Sequence, residues 1–595
     1  MADDQFESSD SLRSAHPLVH AREFVLPGPL PLELGGELPQ VRLVYETYGE
    51  LSAARDNAVL ICHALSGDSH VARHDRDDAP GWWDVLVGPG KCIDTDRYYV
   101  ICSNVLGGCR GSTGPDSVNP FTGQRYAADF PPITVGDMVR AQVALVDHLG
   151  IEKLRSVTGG SLGGHQALAW AALHPERVES VIPVAASAHL TSQAVAFDVV
   201  GRNSILRDPD FAGGRYYDRD RRPHVGLALA RMLGHITYLS QESMTAKFKP
   251  GTTRAVEAAS DFERTFSVGS YLAYQGERFV ERFDANSYMT LSMAMDLFDL
   301  GRTKKEIQRS FARADCRWLV LSFSSDWLFP PFQSRDIVEA LIPLGCPVSY
   351  CEVETKCGHD AFLLKDEVHI YGELIRAFLE PDRGHQPAKP GEDSFSLLRS
   401  ERVDYEQIIA LIEPGVSVLD LGCGSGELLH RLRSRGHSTL MGAELSEQAI
   451  VDCTRRGLPV VHTDIDRGLG VFADGQFDTV VLSQTLQAVG DVKRVLHEML
   501  RVGRRAIVSF PNAAHESNRK RLSEEGRAPE PAVIGTHRWY DRPPLRLFSI
   551  LDFEDFCARE GLGIERRLAF DTRALRAVER DPNRSADLAI FVLER

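Results

Sequence analysis

The stretch Val157-Thr158-Gly159-Gly160-Ser161-Leu162-Gly163-Gly164-His165 constrains this chain more than any other. An apolar run ends there in G-x-S-x-G, and a helix begins at once with Gln166 to Leu173. A serine on so sharp a strand-to-helix bend takes a strained backbone conformation, and its close neighbours must lack side chains. Gly159, Gly163 and Gly164 meet that requirement. Such a bend exposes the hydroxyl at the top of a sheet and aims a helix N-terminus at it. The plainer reading is a glycine- and serine-rich loop before an ordinary helix; the strand–turn–helix context favours the bend.

The chain has 595 residues, 43% of them apolar, which is enough for two to four domains. Its net charge is -16 and no Lys/Arg-rich tract stands out, which argues against a nucleic-acid-binding surface. The 11 cysteines are scattered with no C-x-x-C pair. That fits a reducing cytoplasm better than a disulfide framework or a zinc site, and no metal is expected. The segment Met1 to Glu7 is acidic and lacks the apolar core of a signal peptide. No apolar run is long enough to span a bilayer. A soluble cytoplasmic protein without membrane partners is expected.

Residues 1–20 read as a disordered tail. Val41 to Tyr48 alternates as an antiparallel strand would. Asn57 to His63 and Tyr98 to Cys102 are short apolar strands, Val135 to Leu149 is helical in period, and Val178 to Ala185 follows the bend as the next strand. Strands alternating with helices in this way predict a mainly parallel sheet buried on both faces. Residues of about 190–310 break the rhythm, being mostly helical, and read as a cap inserted over the serine. The pattern resumes at Arg317 to Phe323 and Val348 to Val353 and closes with a helix from Ile370 to Leu379. Residues 381–397 carry prolines and glycines without apolar periodicity, as a linker does, and a second alternating pattern fills 398–595.

A serine hydroxyl is a weak nucleophile unless a base takes its proton and a third group orients that base. On sheets of this kind the chain order is serine, acid, histidine, with the partners on loops after late strands. Asp326 follows the strand at 317–323, and His359 follows the strand at 348–353. Ser161, Asp326 and His359 are therefore the candidate triad. An oxyanion hole needs two backbone N–H groups. One belongs to Leu162, after the nucleophile; the other comes from the loop His63-Ala64-Leu65-Ser66-Gly67, where Leu65 is preferred over Ala64.

Six blocks in order now resemble homoserine O-acetyltransferases over residues 15–380. They are the His63 to Gly67 loop, Asn104 to Pro115, Gly159 to Gly164, Arg231 to Ser240, Ser325 to Pro330 and Gly358 to Phe362. The resemblance implies an α/β-hydrolase fold with a helical lid over about 190–310. It implies transfer of an acyl group from acyl-CoA to L-homoserine through an acyl-serine, and a homodimer. Carried over, Arg231 holds the homoserine carboxylate and Asp360 its ammonium; an arginine fork suits a carboxylate. Leu162 stands where that family often has methionine, a volume-conserving change. Succinyl-CoA is the alternative donor. Its extra carboxylate calls for a cation that Leu328 does not offer, so acetyl-CoA is favoured. A plain serine hydrolase fused to a cofactor-binding regulatory module is the other reading; the Arg231 block speaks against it.

In the second half, Val416 to Glu427 is an apolar strand entering G-x-G-x-G at Gly422, Gly424 and Gly426, then a helix. Glycines there let backbone approach a ligand closely. Glu444 ends the next strand at the spacing of a ribose-binding acid, and Asp464 follows a third strand. With Asp420 ahead of the glycines, this resembles a class I S-adenosylmethionine-dependent methyltransferase domain. Phe477 to Gln487, Met499 to Asn512, Trp539-Tyr540 and Phe548 to Phe556 resemble the methionine biosynthesis protein MetW. The resemblance implies a Rossmann-like methyltransferase fold partnered with the acyltransferase, with S-adenosylmethionine as its candidate cofactor. A sensing or scaffolding role stands level with an enzymatic one, since no acceptor site or general base is evident.

Overall fold

The computed structural model describes residues 17–248, 267–381, 402–528 and 546–594. The expected tail up to residue 16, most of the linker and Trp539-Tyr540 lie outside the described residues. Residues 17–20 form a turn instead of a tail, and the His20 ring lies 4.2 Å from that of His74. The chain divides into two compact units, with the main boundary after Leu379.

The first unit is built on the strands β1 (Arg22–Val25), β2 (Arg42–Tyr48), β3 (Ala58–Cys62), β4 (Tyr99–Ser103), β5 (Ser156–Gly160), β6 (Ser180–Val184), β7 (Arg317–Phe323) and β8 (Val348–Val353). Their order across the sheet is β1-β2-β4-β3-β5-β6-β7-β8. Strands β1 and β2 are antiparallel to their neighbours, and β4, β3, β5, β6 and β7 run parallel. Every residue of β3, β4, β5 and β6 is buried, which is why β3, β4 and β6 are mostly apolar without alternation.

Helices α1 (Val135–His148), α2 (Leu162–Leu173), α9 (Pro331–Leu341) and α10 (Val368–Leu379) accompany the sheet. Thr134 and Asp137 close a capping box that starts α1 where the apolar period begins. Between β6 and β7 the chain leaves the sheet for α3 (Ser192–Leu206), α4 (His224–Tyr238), α5 (Gln241–Lys247), α6 (Ser267–Val280), α7 (Ala285–Asp296) and α8 (Lys304–Ser310). Helix α4 packs against both α3 and α6.

The second unit contains α11 (Val403–Leu411), β9 (Val418–Leu421), α12 (Glu427–Ser434), β10 (Leu440–Glu444), α13 (Glu447–Arg455), β11 (Val460–His462), β12 (Phe477–Ser483), α14 (Val492–Val502), β13 (Gly503–Pro511), α15 (Glu516–Glu525), α16 (Ile550–Glu560), β14 (Gly563–Asp571) and β15 (Leu588–Glu594). Strand order is β11-β10-β9-β12-β13-β15-β14, parallel up to β13 and antiparallel at β15 and β14. The order reverses at β9, so the loop leaving its carboxyl end opens at a switch point, where ligands of such sheets bind. Among the described residues, no helix is long and apolar enough to cross a membrane.

Candidate active site

Ser161 sits between β5 and α2 with φ 57° and ψ -123°, a region that non-glycine residues seldom adopt. Its amide donates to the Val184 carbonyl at 3.1 Å and its carbonyl accepts from the His165 amide at 3.0 Å, so backbone on both sides holds the strain. The neighbouring glycines are steric necessities. A Cβ on Gly163 would lie 2.0 Å from the Cys62 carbonyl oxygen, and one on Gly159 would lie 2.3 Å from the same atom. Leu162 opens α2, so its N–H belongs to the first turn, whose amides have no acceptor within the helix.

His359 lies on a 3-10 turn, Gly358–Leu363, directly after β8. Its Nδ1 is 2.7 Å from Asp326 Oδ2, and both residues are buried. The other oxygen of Asp326 accepts from the amides of Leu328 and Phe329 at 3.0 and 2.9 Å, which fixes the carboxylate plane. With Nδ1–H given to Asp326, Nε2 is the nitrogen left to exchange a proton. Burial opposes a charge on His359, but the adjacent Asp326 and then Asp360 raise its pKa above the ordinary 6.5. The rings of Phe329, Phe362 and Tyr238 surround it at 5.2, 5.7 and 5.9 Å.

Phe362 also packs on the end of β5: a Cβ on Gly160 would lie 2.5 Å from its ring. The histidine turn is thereby seated against the serine bend. His165, one turn into α2, is fully buried, and burial together with the charge of His359 drives its pKa down to about 3. It is a neutral ring that touches Ser187 Oγ at 3.2 Å. Its place in the glycine-rich stretch was visible in sequence, but its role beside His359 was not.

The preferred oxyanion loop leaves the end of β3. Arg231, buried on α4, reaches it: its Nη1 lies 3.4 Å from Ser66 Oγ, and its guanidinium sits 4.8 Å from the Phe279 ring centre. Arg282 donates to the Ser66 carbonyl at 2.9 Å. Asp360 is buried beside His359. Leu65, Arg231 and Asp360 thus all belong to the surroundings of one loop and one turn.

The three glycines of the second unit all have left-handed φ, at 65°, 54° and 75° for Gly422, Gly424 and Gly426. Glu444 Oε2 accepts from the Gly424 amide at 2.7 Å, while Oε1 accepts from the amides of Leu445 and Ser446. Asp420 is buried, and burial pushes its carboxyl up to about 8; Arg402 opposes that, and Glu444 and Asp404 add to it. Asp464 is half-buried and caps its own short turn through the Asp466 amide at 3.0 Å. Sequence reading missed a buried network next to Asp420. Arg402 grips Asp404 with two bonds of 2.9 Å, and Asp404 also accepts from Ser483 and Gln484 at 2.8 and 2.9 Å.

One further cluster in the first unit has metal-ligand chemistry. Glu46, His70 and His74 bring three ligand atoms within 4.8 Å of one another. Both ring nitrogens of His70 face oxygens, Glu46 Oε2 at 2.9 Å and the Ala79 carbonyl at 2.8 Å, so the ring carries two protons. Burial resists these charges, but the pair holds Glu46 down at about 2 and His70 up at about 9. Without a cation, Glu46 and His70 pair as buried groups that brace the loop after β3.

The α/β-hydrolase fold family matches residues 57–366, and methionine biosynthesis protein MetW matches residues 402–593. A bifunctional methionine biosynthesis protein MetXA/MetW of Rhodopirellula baltica is 49% identical over 100% of this chain and 96% of its own length. The chain belongs to the family of bifunctional MetXA/MetW methionine biosynthesis proteins. A homoserine O-succinyltransferase of Alkalilimnicola ehrlichii is 51% identical, covering 59% of this chain and 92% of its own. The crystal structure of homoserine O-acetyltransferase from Bacillus anthracis is 30% identical with a TM-score of 0.56, covering 62% of this chain and 99% of its own. The serine bend, Asp326 and His359 all fall in the hydrolase-fold half of this family, and the glycine loop and Glu444 in the MetW half.

Proposed function

We propose that the first unit transfers an acetyl group from acetyl-CoA to the side-chain hydroxyl of L-homoserine, giving O-acetyl-L-homoserine and free coenzyme A. His359 Nε2 takes the Ser161 proton as Oγ attacks the thioester carbonyl. The oxyanion is held by the N–H groups of Leu65 and Leu162. Collapse expels the coenzyme A thiol, protonated by His359, and leaves an acetyl-serine. His359 then deprotonates the homoserine hydroxyl, which attacks the same carbonyl and restores Ser161. Asp326 holds the imidazole through Nδ1 and stabilises its charged form. Arg231 binds the homoserine carboxylate and Asp360 its ammonium. Residues of about 190–310 act as a lid that keeps water from the acyl-enzyme.

The observation that carries this reading is the 2.7 Å His359–Asp326 pair seated against a serine at φ 57°. Acetyl is preferred because position 328 offers no cation for a succinyl carboxylate, although a succinyltransferase is among the relatives. Turnover with acetyl-CoA against succinyl-CoA at fixed homoserine decides the donor. The acyl-transfer reading fails if Ser161→Ala keeps full turnover, or if esters and thioesters are hydrolysed without any need for homoserine.

We read residues 21–380 and 398–595 as the two functional domains, joined by 381–397. Gly422, Gly424 and Gly426 would admit S-adenosylmethionine close to backbone, Glu444 would meet its ribose hydroxyls, and Asp420 and Asp464 would line the site. No methyl acceptor is assigned, and a sensing or scaffolding role fits the residues equally. Calorimetry of the full chain with S-adenosylmethionine tests this; absence of heat removes the cofactor reading. We also propose a homodimer formed through the lid, where Val199, Val200, Val225, Leu229 and Ile236 are exposed on α3 and α4. Eleven free cysteines support a reducing, cytoplasmic setting.

A further inference from the structure

We infer that His63 is a positioning residue for the oxyanion hole, with Gln166 tying the two backbone segments that form it. The inference rests on the acyl-serine reading above. His63 follows β3 and is buried. The Val105 amide donates to its Nε2 at 3.0 Å. A ring nitrogen that accepts carries no proton, so Nδ1 carries it and donates to the Ala64 carbonyl at 2.7 Å. The Gly67 amide donates to the same carbonyl at 3.0 Å. The Ala64 carbonyl and the Leu65 N–H are opposite ends of one planar trans peptide, so they point in opposed directions. Two donors that hold the oxygen therefore set the direction of the Leu65 N–H.

Gln166 adds a tie between the two halves of the hole. Its Nε2 donates to the His63 carbonyl and to the Leu162 carbonyl, both at 3.3 Å. The amide orientation follows from Trp170, whose indole N–H can only donate. Trp170 bonds to Gln142 Oε1 at 2.8 Å, so Gln142 Nε2 donates to Gln166 Oε1 at 2.7 Å and the Gln166 amine faces the His63 and Leu162 carbonyls. Neither His63 nor Gln166 touches the reacting atoms in this account. His63 acts through the Ala64–Leu65 peptide, whose N–H does, while Gln166 ties the neighbouring carbonyls of the two segments; an oxyanion hole acts by being oriented before the charge develops.

Three variants at position 63 test the inference in the full chain. Asparagine places an amide near Nδ1 and keeps a donor for the Ala64 carbonyl. Glutamine reaches the Nε2 position and keeps only an acceptor for Val105. His63→Ala and His63→Gln are expected to lose about 10–100-fold in kcat with KM for homoserine within about twofold, since the hole serves the transition states and not the ground state. His63→Asn is expected to keep several-fold more kcat than His63→Gln, and both half-reactions should slow together. A purely structural histidine would shift Tm and leave the kcat of the folded enzyme alone. His63→Gln matching or exceeding His63→Asn, or wild-type kcat in all three, overturns the inference. If Ser161→Ala is dead while the His63 variants are unaffected, only this inference fails; an active Ser161→Ala overturns the acyl-serine reading itself.

Discussion

The two halves of the chain each put a glycine-rich turn at the carboxyl end of a parallel strand, and they use it in opposite ways. After β5 the glycines are absent of side chains because other atoms fill the space: the Cys62 carbonyl would lie 2.0 Å from a Cβ on Gly163. The result is a crowded bend that strains one hydroxyl-bearing residue. After β9, a Cβ on Gly424 would meet nothing within 4 Å, and the constraint is the left-handed φ of 54°. The glycines on either side of it are packed, since a Cβ on Gly422 would lie 2.9 Å from the Thr485 side chain and one on Gly426 2.6 Å from that of Leu458, so the open position is Gly424 alone. Beside the first stands the turn that carries the buried His359–Asp326 pair; beside the second stand carboxylates, one of them, Glu444, holding the loop amides. A glycine pattern thus reports close packing at some positions and open space at another, here Gly424, and only the neighbours tell which.

The sharpest way to break this contrast is on the proton-moving side. Asp326→Asn keeps the shape but loses the charge that orients His359, and kcat should fall about 10⁴-fold with the fold intact. A loss below tenfold in steady-state assays would mean that His359 does not depend on this partner. Next come the glycines. Gly163→Ala forces a methyl against the Cys62 carbonyl and should yield insoluble or inactive protein. Gly424→Ala should cost only about 1–2 kcal/mol for the left-handed backbone. Comparable thermal melts for the two variants would erase the distinction between crowded and open positions.

The pH profile sharpens it further. His359 must be neutral to act as base, and its pKa lies above 6.5 because Asp326 and Asp360 outweigh burial. Acyl transfer should therefore rise with pH through a midpoint above that value, and in Asp326→Asn the midpoint of the residual activity should move down. A midpoint at or below the ordinary histidine value in the native enzyme would count against the pair. The smallest effect is expected at Asp420. Its folded pKa of about 8 lies above the unfolded 3.8, so the unfolded chain holds fewer protons and stability falls as pH rises between those values. Asp420→Asn removes that cost. It should raise the C-terminal melting transition at pH 8, and by less toward pH 4. Equal shifts at both pH values would contradict the assignment.

Much of the fold was legible because fully buried parallel strands have an unmistakable composition. The run Arg317 to Phe323 matches β7 residue for residue, and Val348 to Val353 matches β8. The serine bend was legible because its glycines answer local sterics, and Asp326 and His359 because chain order and strand ends restrict where partners can stand. Other features have no local signature. Val105 meets His63 across 42 residues, and His70 and His74 meet Glu46 across 24 and 28. Arg402 and Asp404 join Ser483 only when α11 is laid beside β12. These are hydrogen bonds between ordinary polar residues, made specific by burial, and a sequence carries no mark of which polar residues will be buried together.

Mass spectrometry of the intact chain and its Ser161 peptide, after acetyl-CoA is added without homoserine, tests the acyl-serine most directly. A single acetyl group on Ser161, discharged by L-homoserine and absent from Ser161→Ala, is the predicted result. Turnover without any acyl adduct on Ser161, or an adduct on another residue that homoserine discharges, would contradict it.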